Sequence, residues 1–287
     1  MTKTILIIGA RGMLGQDLTK LFAADGRYQT VSWDKEEIDI TDRAQVRKKL
    51  TKLKPDIIIN AAAYNAVDLC ETDKNAYRLA KKINGTAVGY LARASQKLSA
   101  IFVQYSTDYV FDGRNQKGYT EKAKPKPLSK YGLSKYLGEQ QAQKYAKKLY
   151  LIRTSRLFGP PTATGKKSFF ATMLELAKKN SELKVVNEEL SCFTYTPDLA
   201  LATKKLVESK KYFGIYHLTN SQPATWYQAA KELFQLLKIK TPVIPVLRST
   251  FPRPAKIPKY STLLSTKNPP LRSYQSALKD YLKLINI

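Results

Sequence analysis

Histidine is almost missing from this chain of 287 residues. There is one, His217, and cysteine stops at two, Cys70 and Cys192. No Cys/His cluster suggests zinc, and no paired cysteine spacing suggests a disulfide scaffold. Such sparing use of cysteine fits a reducing compartment. Long apolar runs are absent too: no stretch approaches the ~20 residues of a membrane span. The Ile5-Leu6-Ile7-Ile8 run after the N-terminus is too short for a signal peptide and leads into a glycine turn, so it reads as a first strand. No membrane partner is expected, and a cytoplasmic protein is. His217 lies in the strand-like Ile215-Tyr216-His217-Leu218 and reads as a satisfied buried imidazole. Cys70 and Cys192 read as small buried apolar residues.

Acidic residues are also few, 23 Asp+Glu against 49 Lys+Arg, a formal charge of +26. That balance raises nucleic acid as a partner. The lysines, however, are spread over nearly every expected helix, as in Lys81-Lys82, Lys147-Lys148 and Lys178-Lys179. No arginine-rich arm, helix-turn-helix or aromatic RNA-binding signature accompanies them. Solvated helix faces account for most of the charge, which also draws anionic nucleotides towards the protein; no specific nucleic-acid partner is expected.

The first two thirds alternate short β runs (4–8, 29–32, 57–60, 100–105, 149–154, 183–186, 215–218) with amphipathic helical patterns (14–24, 42–53, 75–97, 129–147, 169–180, 196–209). Such alternation predicts an α/β fold, a Rossmann-like doubly wound parallel sheet. Residues 240–271 carry seven prolines, which forbid regular helix or central strand. Helical patterns at 226–237 and 274–284 flank them, with Trp226-Tyr227 expected in the core of a smaller C-terminal α+β region over the sheet's carboxyl edge. The expected division is a dinucleotide-binding domain over 1–155, with 183–218 returning to its sheet, and a substrate-binding region from 156–182 and 219–287.

The first strand opens directly into Gly9-Ala10-Arg11-Gly12-Met13-Leu14-Gly15. Gly9 allows a tight turn, Gly12 lets the backbone approach a pyrophosphate, and Gly15 lets the new helix pack close with its N-terminus facing the phosphates. Strand before and helix after make this a dinucleotide site. Asp34, closing the second strand, is placed to accept from adenosine ribose hydroxyls. Arg11 and Lys35 are cations suited to a 2′-phosphate, so use of both NADH and NADPH is expected. Asp39-Ile40 is a candidate adenine contact. Asn60-Ala61-Ala62-Ala63, followed by Tyr64, leaves room along the cofactor groove.

Tyr131 and Lys135 stand one helical turn apart on one face. Reducing a ketone requires a proton for the developing alkoxide, and a phenol with pKa near 10 exchanges poorly at neutrality. A neighbouring ammonium is expected to lower that pKa, while Lys135 also bonds the nicotinamide ribose. Thr107, in the strand-end Ser106-Thr107-Asp108, is expected to donate to the substrate carbonyl, an interaction worth about a few kcal/mol. Together these residues predict hydride transfer at a carbonyl.

Asn60-Ala-Ala-Ala-Tyr-Asn-Ala-Val-Asp68, Tyr105-Ser-Thr-Asp-Tyr-Val-Phe-Asp-Gly113 and Tyr131-Gly-Leu-Ser-Lys-Tyr-Leu-Gly-Glu139 are close to a family's signatures. So are Ile152-Arg-Thr-Ser155, Tyr195-Thr-Pro-Asp-Leu-Ala200 and Gly214-Ile-Tyr-His-Leu218. Nearly end to end, the chain resembles the dTDP-4-dehydrorhamnose reductase family of the extended short-chain dehydrogenase/reductases. The resemblance implies NAD(P)H-dependent reduction at C4 of a nucleotide-linked 4-keto-6-deoxy sugar, with Thr107, Tyr131 and Lys135 as the catalytic set. It also implies a sugar pocket lined by Val67, Asp108, Tyr109 and Phe111. Three positions depart from the family's pattern: Arg156 replaces an aromatic beside the sugar, Glu188-Glu-Leu-Ser-Cys-Phe-Thr194 loses a Gly and a Pro, and Asn65 replaces a Thr. All lie on the substrate side, leaving open a reductase or epimerase for another nucleotide sugar, or a non-catalytic NAD(P)-binding regulator. Some family members bind a divalent cation (Mg) at a dimer interface, for which Asp17 and Asp198 are the corresponding carboxylates; no metal ligand is assigned. A monomer or homodimer is expected.

Overall fold

The computed structural model describes residues 2–162, 165, 167–209 and 211–285; the remaining positions of the spans expected above lie outside the described residues. Five strands, β1 (Lys3–Ile8), β2 (Tyr28–Trp33), β3 (Ile57–Asn60), β4 (Ile101–Thr107) and β5 (Leu149–Thr154), join Gly214–His217 in one sheet. The order is β2-β1-β3-β4-β5 and then Gly214–His217, and every pairing is parallel. Continuous apolar runs such as Ile5-Leu6-Ile7-Ile8, at most 1% exposed, are what a sheet covered on both faces demands. One face packs on helix α1 (Met13–Ala23) and on Thr196–Glu208 through Leu14, Leu18, Phe22, Leu199 and Leu206. The other packs on Arg43–Leu53, Ala87–Lys97 and Lys130–Tyr145 through Val46, Leu50, Val88, Leu91 and Ala142. From β1 the chain runs outward to β2 and then back across to β3. The loops at the carboxyl ends of β1 and β3 therefore diverge and open a crevice between them.

A second core gathers Phe170, Leu233, Leu278 and Tyr281 from the helices Phe169–Ala177, Trp226–Leu237 and Tyr274–Leu284, with Phe158 from the short strand Leu157–Phe158 and Phe193 from the residue before Thr194–Tyr195. Leu183–Val186, expected to return to the central sheet, instead pairs in parallel with Val243–Val246 beside this core. Alternating apolar residues mark a strand without naming its partner. Of 183–218, Gly214–His217 is the part that bonds to β5. Pro245 falls inside Val243–Val246, where a two-stranded sheet leaves a free edge to tolerate it.

The helical pattern over 75–97 forms as Lys74–Lys81 and Ala87–Lys97 with a π-helical turn, Lys82–Thr86, between them. Asn84 in that turn accepts from the Tyr64 N–H at 2.8 Å and donates to the Tyr64 carbonyl at 2.9 Å and the Ser134 hydroxyl at 3.0 Å. The widened turn thus fastens the loop after β3 to the Lys130–Tyr145 helix. Both cysteines are buried and unpaired. His217 is 1% exposed, with Nδ1 3.0 Å from the Leu264 carbonyl and burial pushing its pKa down to about 4. Its Nε2 makes no hydrogen bond of ordinary geometry among the described residues, and the imidazole is buried and neutral.

Candidate active site

A cleft of about 920 Å³ opens at the carboxyl end of the sheet, between the two cores. Its inner wall is the glycine loop. Gly9 holds φ +79°, and a Cβ there would lie 2.6 Å from the Ala62 amide nitrogen; a Cβ on Gly15 would lie 2.0 Å from the Gly9 carbonyl oxygen. The loop therefore folds tightly enough to present the α1 N-terminus to the cleft. No side chain caps that terminus and no acidic residue occupies its first turn. Free N–H groups and the positive end of the helix dipole form a cradle suited to a pyrophosphate.

Gly9, Gly12, Met13, Leu14, Gly15, Asp34, Asp39, Ile40, Ala61, Ala62 and Ala63 line the cleft, as does Lys35. Asp34 accepts from the Arg11 amide at 3.0 Å and the Lys35 amide at 2.9 Å, tying β2 to the glycine loop. Asp39 accepts from the Thr41 amide and hydroxyl, both at 2.8 Å. Two expected cofactor contacts stand elsewhere. The Arg11 guanidinium turns to Glu36 at 3.1 Å and Glu37 at 3.4 Å, because two carboxylates outcompete open cleft for its charge. Tyr64 packs with Cys70 and Ala80 behind Tyr131.

Tyr131 and Lys135 face the cleft although they are only 8% and 5% exposed. The helix that carries them starts at a Ser129 cap, whose hydroxyl accepts from the Gly132 amide at 3.1 Å. It is locked to β5 by a buried bidentate pair, Arg153 to Glu139 at 2.9 and 2.7 Å. Lys135 Nζ donates to the Tyr105 carbonyl at 2.8 Å, and the Tyr131 phenol donates to Asn65 Oδ1 at 3.3 Å.

The electrostatics differ from the expected priming. Burial pushes the Tyr131 phenol up, reinforced by Tyr109 and by Asp108. Burial also pushes Lys135 down to about 8, with Glu139 pulling the other way. Desolvation, not the ammonium, dominates the phenol here. Thr107, also in the cleft, is not free to donate outward. Its hydroxyl donates to Asp108 Oδ1 at 3.1 Å and accepts from the Tyr109 amide at 3.2 Å.

Four of the five expected sugar contacts stand behind the cleft wall. Asp108–Val110 forms a single 3-10 turn that swings Asp108, Val110 and Phe111 inward. Phe111 is fully buried and stacked on Tyr119 at 4.2 Å. Asp108 is 2% exposed and accepts from Ser191 at 2.8 Å and Ser261 at 2.6 Å as well as Thr107, a hub joining three segments. Tyr109 meets the Tyr131 ring edge-on at 5.8 Å, and Val67 joins the same apolar cluster.

Arg156 does line the cleft, at φ +40°, but spends its donors on protein. Its two terminal nitrogens donate to the Ala224 and Glu189 carbonyls, each at 2.9 Å, and its guanidinium lies 3.9 Å from the centre of the Trp226 ring. The Trp226 indole N–H donates to the Glu189 carboxylate at 2.9 Å. Trp226 packs against the second core, as expected, and with Phe158, Phe169 and Phe193 it also faces the cleft as its outer wall. Sequence reasoning placed Asn65 on the substrate side but missed Trp226, Asn84 and Glu139 as site-building residues. Glu139, one turn beyond Lys135 on the same helix, was the one signal in the sequence. Asp198 is engaged by Arg272 at 2.8 Å and Asn220 at 2.7 Å, and no group of three or more metal-ligating side chains occurs among the described residues. No helix among them is long and apolar enough to cross a membrane.

Residues 2–287 match the family model described as RmlD substrate binding domain. The dTDP-4-dehydrorhamnose reductase of Aggregatibacter actinomycetemcomitans is 36% identical, over 92% of this chain and 91% of its own. The spore coat polysaccharide biosynthesis protein SpsK of Bacillus subtilis is 34% identical over 99% and 98%. A crystal structure of dTDP-4-dehydrorhamnose reductase from Bacillus anthracis in complex with NADP superposes with a TM-score of 0.92 at 34% identity, covering 99% of both chains. The likeness runs through both cores and both walls of the cleft, not the nucleotide half alone, so this chain belongs to the dTDP-4-dehydrorhamnose reductase family of extended short-chain dehydrogenase/reductases.

Proposed function

We propose that this protein reduces the C4 ketone of dTDP-4-dehydro-L-rhamnose to the alcohol of dTDP-L-rhamnose, in the cytoplasm, with NADPH or NADH. The observation that carries this assignment is the buried Tyr131–Lys135 pair facing a cleft whose other end is the uncapped α1 N-terminus. A bound nicotinamide supplies the hydride. The chain's residues do the rest. The first-turn amides of α1 hold the pyrophosphate, Asp34 takes the adenosine ribose, and the exposed Lys35 beside it serves a 2′-phosphate. We assign 1–155 with part of 183–218 to dinucleotide binding, and 156–182 with 219–287 to the substrate.

Because burial raises its pKa, the Tyr131 phenol is protonated at neutral pH, as an acid in the reductive direction must be. The alkoxide formed as hydride arrives is a far stronger base than a phenolate, so the proton moves to the sugar oxygen. Lys135, still largely charged near pH 7, offsets the charge left on the phenol. The test is NAD(P)H oxidation with dTDP-4-dehydro-L-rhamnose. Wild type turns over, and Tyr131→Phe falls by about 100-fold or more. An inactive wild type, or an equally fast variant, overturns the assignment.

A further inference from the structure

In the resting site the phenolic proton of Tyr131 is committed to Asn65, whose amide oxygen sits 3.3 Å away on the exposed loop after β3. The other groups around that oxygen are limited in what they can give. The Thr107 hydroxyl is shared: it donates to Asp108 Oδ1 at 3.1 Å, and its contact with the phenol only partly counters the rise that burial imposes. Lys135 Nζ is held by the Tyr105 carbonyl at 2.8 Å. Tyr109 offers a ring edge. When Tyr131 acts, its O–H bond breaks, a new O–H bond forms on the reduced carbonyl oxygen, and the negative charge stays on a phenol oxygen that is nearly out of water. A buried anion with few donors is costly, and the Lys135 ammonium alone offsets its charge without filling its open side.

Resting on the hydride-transfer assignment above, we infer that Asn65 is a positioning residue for the proton donor: its amide oxygen accepts the phenolic proton before turnover, and its rotated NH2 donates to the phenolate afterwards. A neutral amide supplies both an acceptor and a donor, exchanged by rotation of its terminal group. Asn65 lines the cleft on the open side of Tyr131, so rotation of its terminal amide meets no core packing. A structural role would require burial or a second anchor, and the side chain is exposed.

Two readouts test the role. The first is kcat and KM for the keto sugar and for NADPH. The second is the tyrosinate titration of the protein, with the Tyr131→Phe difference isolating this phenol and requiring no substrate. Asn65→Leu is expected to lower kcat roughly tenfold, with KM for NADPH unchanged, and to move the Tyr131 titration to higher pH. Asn65→Thr, whose hydroxyl also accepts and donates, is expected to recover kcat to within about threefold of wild type. If Asn65→Leu keeps the wild-type kcat and titration, the role is refuted. It is equally refuted if Thr and Leu lower kcat alike while the titration stays put, since that marks plain packing. Should wild type fail to reduce any keto sugar, the functional assignment falls, while the titration still decides whether Asn65 controls the phenol.

Discussion

Lys135→Met should do two opposite things: end catalysis and raise stability near neutral pH. The lysine is 5% exposed, and burial drops its pKa from the ordinary 10.5 to about 8. Between those values the unfolded chain binds a proton that the folded chain has released. Stability therefore rises with pH across that window and is lowest, for this group, below pH about 8. At 1.36 kcal/mol for each pH unit between 10.5 and about 8, the buried ammonium costs about 3 kcal/mol near pH 7 and about 1 kcal/mol near pH 9.5. Methionine of similar length carries no charge to desolvate. The variant also loses the bond to the Tyr105 carbonyl, 2.8 Å long, but that loss and any packing change are the same at both pH values. The difference in unfolding free energy between Lys135→Met and wild type should thus shrink by about 2 kcal/mol from pH 7 to pH 9.5. Urea unfolding at the two pH values measures it, and NADPH oxidation measures the lost activity, a drop of about 100-fold. A stability difference that stays constant across the window would refute the claim that Lys135 is held charged against burial.

Two further substitutions test the walls of the cleft. Gly15→Ala places a Cβ 2.0 Å from the Gly9 carbonyl oxygen, whereas Gly26→Ala meets nothing within 4 Å; the first should cost roughly 2–3 kcal/mol in thermal unfolding and weaken NADPH binding at least tenfold, and the second neither. Arg156→Lys keeps the charge but loses the paired bonds to the Glu189 and Ala224 carbonyls, so KM for the keto sugar should rise about tenfold while the Kd for NADPH, read by nicotinamide fluorescence, stays put.

The half of the site that sequence made legible is the half built from neighbours in sequence. Strand, glycine loop and α1 are consecutive, and Tyr131 and Lys135 are one turn apart, so local geometry alone brings each set together. Asp108 and Phe111 defeated the same logic. The family resemblance alone implied that they line the sugar pocket, and after one 3-10 turn both side chains are buried in the core. Long-range partners were invisible too. Asn84 holds the Tyr64 backbone through a π turn that no periodicity announces, and Leu183–Val186 found Val243–Val246 across intervening elements. The sign of the shift on Tyr131 also escaped, because burial is a tertiary property and here outweighs the charge one turn away.

The substrate-side departures gain a common logic once the contacts are known. A loop that lacks Pro has more unfolded freedom to lose, and one that lacks Gly has fewer tight turns open to it, so neither its rigidity nor its path comes from the backbone alone. Over 188–194 this chain supplies side-chain ties instead. Arg156 and Ser155 donate to the Glu189 and Cys192 carbonyls at 2.9 and 2.6 Å, the Glu188 carboxylate takes the Arg248 amide at 2.6 Å, and the Ser191 hydroxyl reaches Asp108 at 2.8 Å. Each net bond is worth about 1 kcal/mol, and together they offset the ordering of a short loop. The same Arg156 lies against the Trp226 face, so the cation that fixes the loop also sets the aromatic wall. Loop order and wall position are therefore one variable in this protein, and changes in substrate choice should follow Arg156 and its carbonyl partners while the Tyr131–Lys135 chemistry stays intact.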